Sequence, residues 1–123
     1  MNNLSFRAAA SIVLNSFVKM LNNATYEIST SGLLEKAIIY CKTGRIFFFY
    51  APPEFHVEIF IRLNNGEEYD FASLMSIPEI ASWVNENKLK IDCNTNKIIA
   101  ELEWFVVLLS QLKKNIIFKS LLD

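Results

Sequence analysis

Apolar side chains change their spacing several times along the chain, and each change marks an element. Leu4, Ala8, Ala9, Ile12, Val13, Phe17, Met20, Leu21 and Ala24 fall three and four apart, the repeat of one wide stripe on a helix. The spacing predicts a first helix from about Ser5 to Asn22. The period then shortens to two. Tyr26 and Ile28 alternate with Glu27 and Ser29 before Ser31-Gly32 interrupts, which predicts a short edge strand. Lys36 to Lys42 and Arg45 to Tyr50 are rich in β-branched and aromatic residues, with only Thr43-Gly44 between them. A tight hairpin is expected there, ended by Pro52-Pro53.

Residues 55 to 63, FHVEIFIRL, alternate cleanly: Phe55, Val57, Ile59, Ile61 and Leu63 share one face, and His56, Glu58, Phe60 and Arg62 share the other. The first set is assigned to the core. The turn that follows can be placed in register. A two-residue turn at Asn65-Gly66 would set Leu63 beside Glu68 and Ile61 beside Asp70, with carboxylates on the core face. A three-residue loop, Asn64-Asn65-Gly66 with Gly66 left-handed in a bulge, instead pairs Ile61 with Tyr69 and Ile59 with Phe71. Arg62 then opposes Glu68, and Phe60 opposes Asp70, on the outward face.

In MSIPEIASWVNENK, Ser76 with Glu79 has the spacing of a capping box and Pro78 suits a first helical turn. A second helix is expected from about Ile77 to Asn87, burying Ile80, Trp83 and Val84. An extended piece at Leu89 to Ile91 leads to a long helix from about Asn96, apolar through to Leu121 and Leu122. The middle of that helix is apolar nearly all round, so it is either central or partly covered by a second chain. The sum is an α+β fold, one domain over residues 1–123. A meandering antiparallel sheet of about five strands carries the N-terminal helix and two C-terminal helices on one face.

Composition and charge narrow the function. A length of 123 residues can bury a core without staples. The N-terminal apolar run is broken by Asn15, Ser16 and Lys19 and does not predict a signal peptide. The apolar block Trp104 to Leu109 is far shorter than the roughly 20 residues of a membrane span. A cytoplasmic protein without membrane contact is expected. Net charge is only -1, yet Glu54, Glu58, Glu67, Glu68, Asp70, Glu79 and Glu86 crowd residues 54–86 against the single base Arg62. Concentrated charge steers partners and selects their sign. An acidic face repels phosphates, and there is no basic stripe with interleaved aromatics, so nucleic-acid binding is not expected.

Catalytic chemistry finds little support. The sole histidine, His56, has no nucleophile placed beside it by a known motif and reads as a strand residue on a solvated face beside Glu58. Gly32, Gly44 and Gly66 are isolated, which excludes a GxGxxG or P-loop phosphate cradle. Cys41 and Cys93 stand far apart in no metal or redox spacing, and Cys41 reads as a small core hydrophobe. Alternation along a strand sends Glu68 and Asp70 one way and the intervening Tyr69 the other, unlike the convergent oxygens of a hard-cation loop. No catalytic residue, cofactor or metal is expected.

The outward face should carry Phe60, Tyr40 or its neighbours on the adjacent strand, and one of the two aromatic rows of the Arg45 to Tyr50 strand among its carboxylates, as protein contact surfaces do. The hairpin LNNGEEYDF, the segment SLMSIPEIASWVNEN and the Asn/Lys/Ile-rich composition resemble the immunity proteins of bacterial polymorphic-toxin and contact-dependent growth-inhibition systems. That resemblance implies a non-enzymatic cytoplasmic antitoxin that binds and occludes a cognate toxin domain, often a basic nuclease. The expected contacts rest on charge and parity instead: Glu58, Phe60, Glu67, Glu68 and Asp70. The alternative is a homodimeric interaction or adaptor subunit, paired through its apolar C-terminal helix.

Overall fold

A computed structural model describes residues 4–91 and 96–123. The order is helix α1 (Phe6–Val18), strands β1 (Thr25–Ser31), β2 (Leu34–Cys41), β3 (Gly44–Tyr50), β4 (Glu58–Leu63) and β5 (Glu68–Asp70), then helices α2 (Phe71–Leu74), α3 (Pro78–Glu86) and α4 (Lys97–Leu112). The strands form one antiparallel meander, β1-β2-β3-β4-β5. This is the expected α+β architecture. No helix among the described residues is long and apolar enough to cross a membrane.

Ser5 starts α1 by accepting the Ala8 N–H on its hydroxyl at 3.1 Å. The buried stripe is Phe6, Ala9, Ala10, Val13, Leu14 and Phe17, rotated from the one the spacing suggested. Ile12, assigned to the stripe, is 56% exposed. Phe6 and Leu14 take its place, Phe6 stacking on Tyr50 at 5.6 Å between centroids. The helix also stops at Val18, short of Asn22, and the chain end closes behind it through the Asn22 N–H donating to the Asp123 carbonyl at 2.9 Å.

The β4–β5 register matches the three-residue loop. Ile61 pairs with Tyr69, Arg62 with Glu68 and Phe60 with Asp70. Gly66 has φ +96° and donates to the Leu63 carbonyl at 3.0 Å, the left-handed position the bulge requires. The pairing ends one step earlier than expected. Phe71 does not face Ile59, because the Asp70 carboxylate caps α2, accepting the Ser73 N–H and hydroxyl at 2.8 Å each. The β2–β3 turn is Lys42-Thr43, with Gly44 already in the strand. Its missing side chain matters for packing: a Cβ there would meet the Arg62 carbonyl oxygen at 2.5 Å.

Other boundaries move for local reasons. Strand β4 begins at Glu58, because Phe55 takes φ +50° and turns its ring outward against Tyr50. Ser76 does not cap α3. Its hydroxyl donates to the Ser73 carbonyl at 2.6 Å, and Ile77 holds the cap position with Pro78 behind it. Ile80 is buried as expected, whereas Trp83 and Val84 are half-buried, and Leu89 to Ile91 form no strand. Helix α4 ends at Leu112, where Asn115 takes the Ile117 N–H on its side chain at 2.8 Å. The chain then folds back in turns that bury Phe118, Leu121 and Leu122.

One hydrophobic core holds α1, α4 and the inner face of the sheet together. Phe48 meets Phe105 of α4 at 5.9 Å, and Tyr69 meets Phe118 edge-on at 4.9 Å. Helix α4 is central, lying against α1 and α3, which accounts for most of its apolar circumference within one chain. Val107 is its large exposed hydrophobic residue.

Candidate contact face and the cleft at its edge

The helices leave the other face of the sheet open, and cross-strand pairing sorts its side chains into rows. Thr25, Tyr40, Arg45, Arg62 and Glu68 form one row, Glu27, Ile38, Phe47, Phe60 and Asp70 the next, and Ser29, Lys36, Phe49 and Glu58 a third. Four of the five expected contact residues, Glu58, Phe60, Glu68 and Asp70, therefore share this face. Glu67 does not. It sits in the turn, held to Asn65 by its own N–H and carboxylate at 2.9 and 3.1 Å. Its alternation places it with Tyr69, whose hydroxyl is pushed up first by burial and then by the Glu67 charge.

An aromatic strip runs through the middle of the face. Phe47 stacks on Phe49 at 5.9 Å and tilts against Phe60 at 5.8 Å. The Arg62 guanidinium lies 5.7 Å from the ring centroids of both Phe47 and Phe60, a cation–π arrangement, and its Nε donates to Glu68 at 2.9 Å. Arg45 covers Tyr40 at 5.1 Å. The Tyr40 hydroxyl donates to the Glu27 carboxylate, and that bond is the main cause raising its pKa. Glu27, Glu58, Glu68 and Asp70 thus share the face with Lys36, Arg45 and Arg62. The surplus of residues 54–86 is shared between this face and the rest of the surface, and the face itself carries both signs.

The early end of β5 has a consequence for shape. Glu58 and Ile59 are left without a strand on their outer side, and a cleft of about 460 Å³ opens between β4, the start of α2 and α4. Its walls include Phe71, Trp104 and Phe105, with Glu58 and Asp70 at its lining where it meets the open face. His56 lies 3.6 Å from Glu58. The remaining acid is Glu101, 7% exposed, whose Oε1 accepts the Val57 N–H at 3.2 Å. Burial raises its pKa against the lowering effects of that hydrogen bond, Lys97 and His56. Lys97 is itself occupied by the Phe55 carbonyl at 3.1 Å.

Sequence reasoning passed over Glu101, although a signal was present: it stands between Ala100 and Leu102 in an apolar helix, on the buried stripe with Ile98, Leu102 and Phe105. A carboxylate in such a stripe requires a partner or an opening. Cys41 is half-buried and its thiol is pushed up to about 11 by burial, which suppresses the reactive thiolate. Cys93 lies outside the described residues. Among the described residues no group of three His, Cys, Asp or Glu side chains has a metal-holding arrangement. Comparison of the chain with protein-family models, with curated proteins and with solved structures found no match.

Proposed function

We propose that this chain is a non-enzymatic immunity protein that binds a toxin domain on the open face of its sheet and occludes it. The observation that carries this reading is the aromatic strip Phe47, Phe49 and Phe60, set among charges of both signs and left uncovered by the helices of its own chain. Apolar anchors surrounded by orientable charges are the anatomy of protein contact surfaces, where a central ring supplies affinity and the rim sets register. Arg62 bound to Glu68, and Arg45 over Tyr40, hold those charges in place before a partner arrives, which lowers the ordering cost of association. The acids at the β4–β5 end suit basic groups on the partner, as a phosphate-handling toxin would present.

The test begins with the gene directly upstream. The C-terminal domain of its product is expressed in a sensitive host with and without this chain. Growth arrest relieved by the chain, with an isolable complex of the two, supports the proposal. An upstream product without a toxic domain, or arrest that the folded chain does not relieve, contradicts it.

A further inference from the structure

We propose that the cleft beside β4 receives a cationic side chain, a lysine or arginine of the bound protein, with Glu101 as its floor and Phe71, Trp104 and Phe105 as its walls. This rests on the reading of the chain as a protein-binding molecule and adds to it a specific pocket. The cleft's acidic groups, Glu58, Asp70 and Glu101, face a single imidazole, His56. Among the described residues the ion pairs are His56–Glu58 and Arg62–Glu68, and Glu101 belongs to neither. Its volume lies within the range of about 300–1,000 Å³ typical of ligand pockets.

The choice of a cation follows from what each kind of occupant would do to Glu101. An apolar group would seal a carboxylate away from water with one backbone N–H as its hydrogen-bond partner and only the fields of Lys97 and His56 to offset the loss, a costly arrangement. An anion would add repulsion. A cation on an aliphatic stem places its charge at the floor while the stem and head lie against aromatic rings, so charge pairing and cation–π attraction act together. The carboxylate has already lost much of its hydration on folding, so pairing need not remove it again. The Trp104 N–H does not compete for the carboxylate, because it donates to the Asn87 carbonyl at 2.6 Å. The position of the cleft also fits, since Glu58 and Asp70 belong both to its lining and to the open face. A protein seated on that face could send a side chain over its edge.

The test titrates the isotopically labelled full chain with N-acetyl-arginine amide, N-acetyl-lysine amide and the neutral N-acetyl-norleucine amide, following the Trp104 indole N–H by NMR. Saturable shifts are expected with at least one cationic probe, and binding of the neutral one should be weaker by roughly tenfold or more. Glu101→Gln, which keeps an acceptor for Val57, should lower the cationic affinity by a similar factor. Glu58→Gln, at an exposed position, should lower it less while leaving the fold intact. If Glu101→Gln does not fold, Glu58→Gln and the cationic-to-neutral ratio decide the matter. Equal binding of neutral and cationic probes, no binding of either, or cationic affinity unchanged in the folded variants would overturn the proposal. No partner protein enters this titration, so its failure leaves the contact-face reading to the co-expression experiment.

Discussion

On the inner face of the sheet Ile39, Ile46, Phe48 and Ile61 are fully enclosed beneath α1 and α4. On the open face Ile38 and Phe47 reach 8% and 9% exposure with no helix above them. The two faces of β3 carry aromatic residues in adjacent positions, yet the means of burial differ. Phe48 is enclosed by other elements, including Phe105. Phe47 is enclosed by its sheet neighbours Phe49 and Phe60 and by the Arg62 side chain lying across them. Long charged side chains can shield apolar surface while keeping their heads in water. A partner could displace such a cover at little cost, whereas a helical cover is part of the fold.

The comparison predicts unequal costs for the same substitution at adjacent positions. Phe48→Ala should lose about 3–5 kcal/mol, since truncation leaves a cavity sealed by α4. Phe47→Ala should lose about 1.5–3 kcal/mol, close to the transfer term alone, because water and neighbouring side chains can occupy the space. Equilibrium denaturation reads both, and equal losses would break the distinction between the two faces. Gly66→Val should follow at about 1–2 kcal/mol, from placing a β-branched residue at φ +96°. An unchanged midpoint would contradict the role given to the bulge in fixing which side chains face outward.

Two carboxylates at the boundary between the faces should respond to pH in opposite senses. Glu101 has a raised pKa, so its charged form weakens the fold: the penalty is absent below its unfolded value near 4.5 and grows as pH rises through the folded one. Glu101→Gln should therefore be more stable than the parent at neutral pH and converge with it in acid. Asp70 has a lowered pKa, caused first by the Ser73 N–H and then by the Ser73 hydroxyl. Its contribution is present above about 3.8, its ordinary value, and is lost as pH falls through the folded one. Asp70→Asn should remove part of the acid-induced loss. The smallest effect is expected for Arg62→Ala, whose exposed pair with Glu68 should contribute within about 1 kcal/mol, while Phe47 and Phe60 become more accessible to a hydrophobic dye.

The parts of this arrangement legible in the sequence were those governed by strict alternation. A one-residue slip would have carried Glu68 and Asp70 into the core, so the pattern in Ile59, Ile61, Tyr69 and Gly66 was enough to place the hairpin and the rows around Phe60. The cleft was not legible. It depends on Asp70 capping α2 rather than continuing β5, and alternation gave no reason to stop the strand there when Phe71 could have extended it. Capping is a local competition between a side chain and the ladder, and the spacing Asp70 to Ser73 was its only trace. The rotation of the α1 stripe was likewise hidden. Phe6, Ala10 and Leu14 have the same helical repeat as Leu4, Ala8 and Ile12, and the neighbours in space decide between them.

The most direct test of the contact face measures the affinity of two variants for the partner domain that the co-expression experiment would isolate. Phe60→Asp places a charge in the aromatic strip, and Ile12→Asp places one on an exposed position of α1, behind the sheet. Ile12 is exposed and Phe60 is half-buried on the open face, so the folded state should survive, which circular dichroism and a denaturation midpoint would verify. Phe60→Asp should weaken binding by roughly a hundredfold or more, as loss of a central anchor does, and Ile12→Asp should leave it unchanged. Full affinity in Phe60→Asp together with a large loss in Ile12→Asp would place the contact on the helical side and contradict the assignment of the open sheet face.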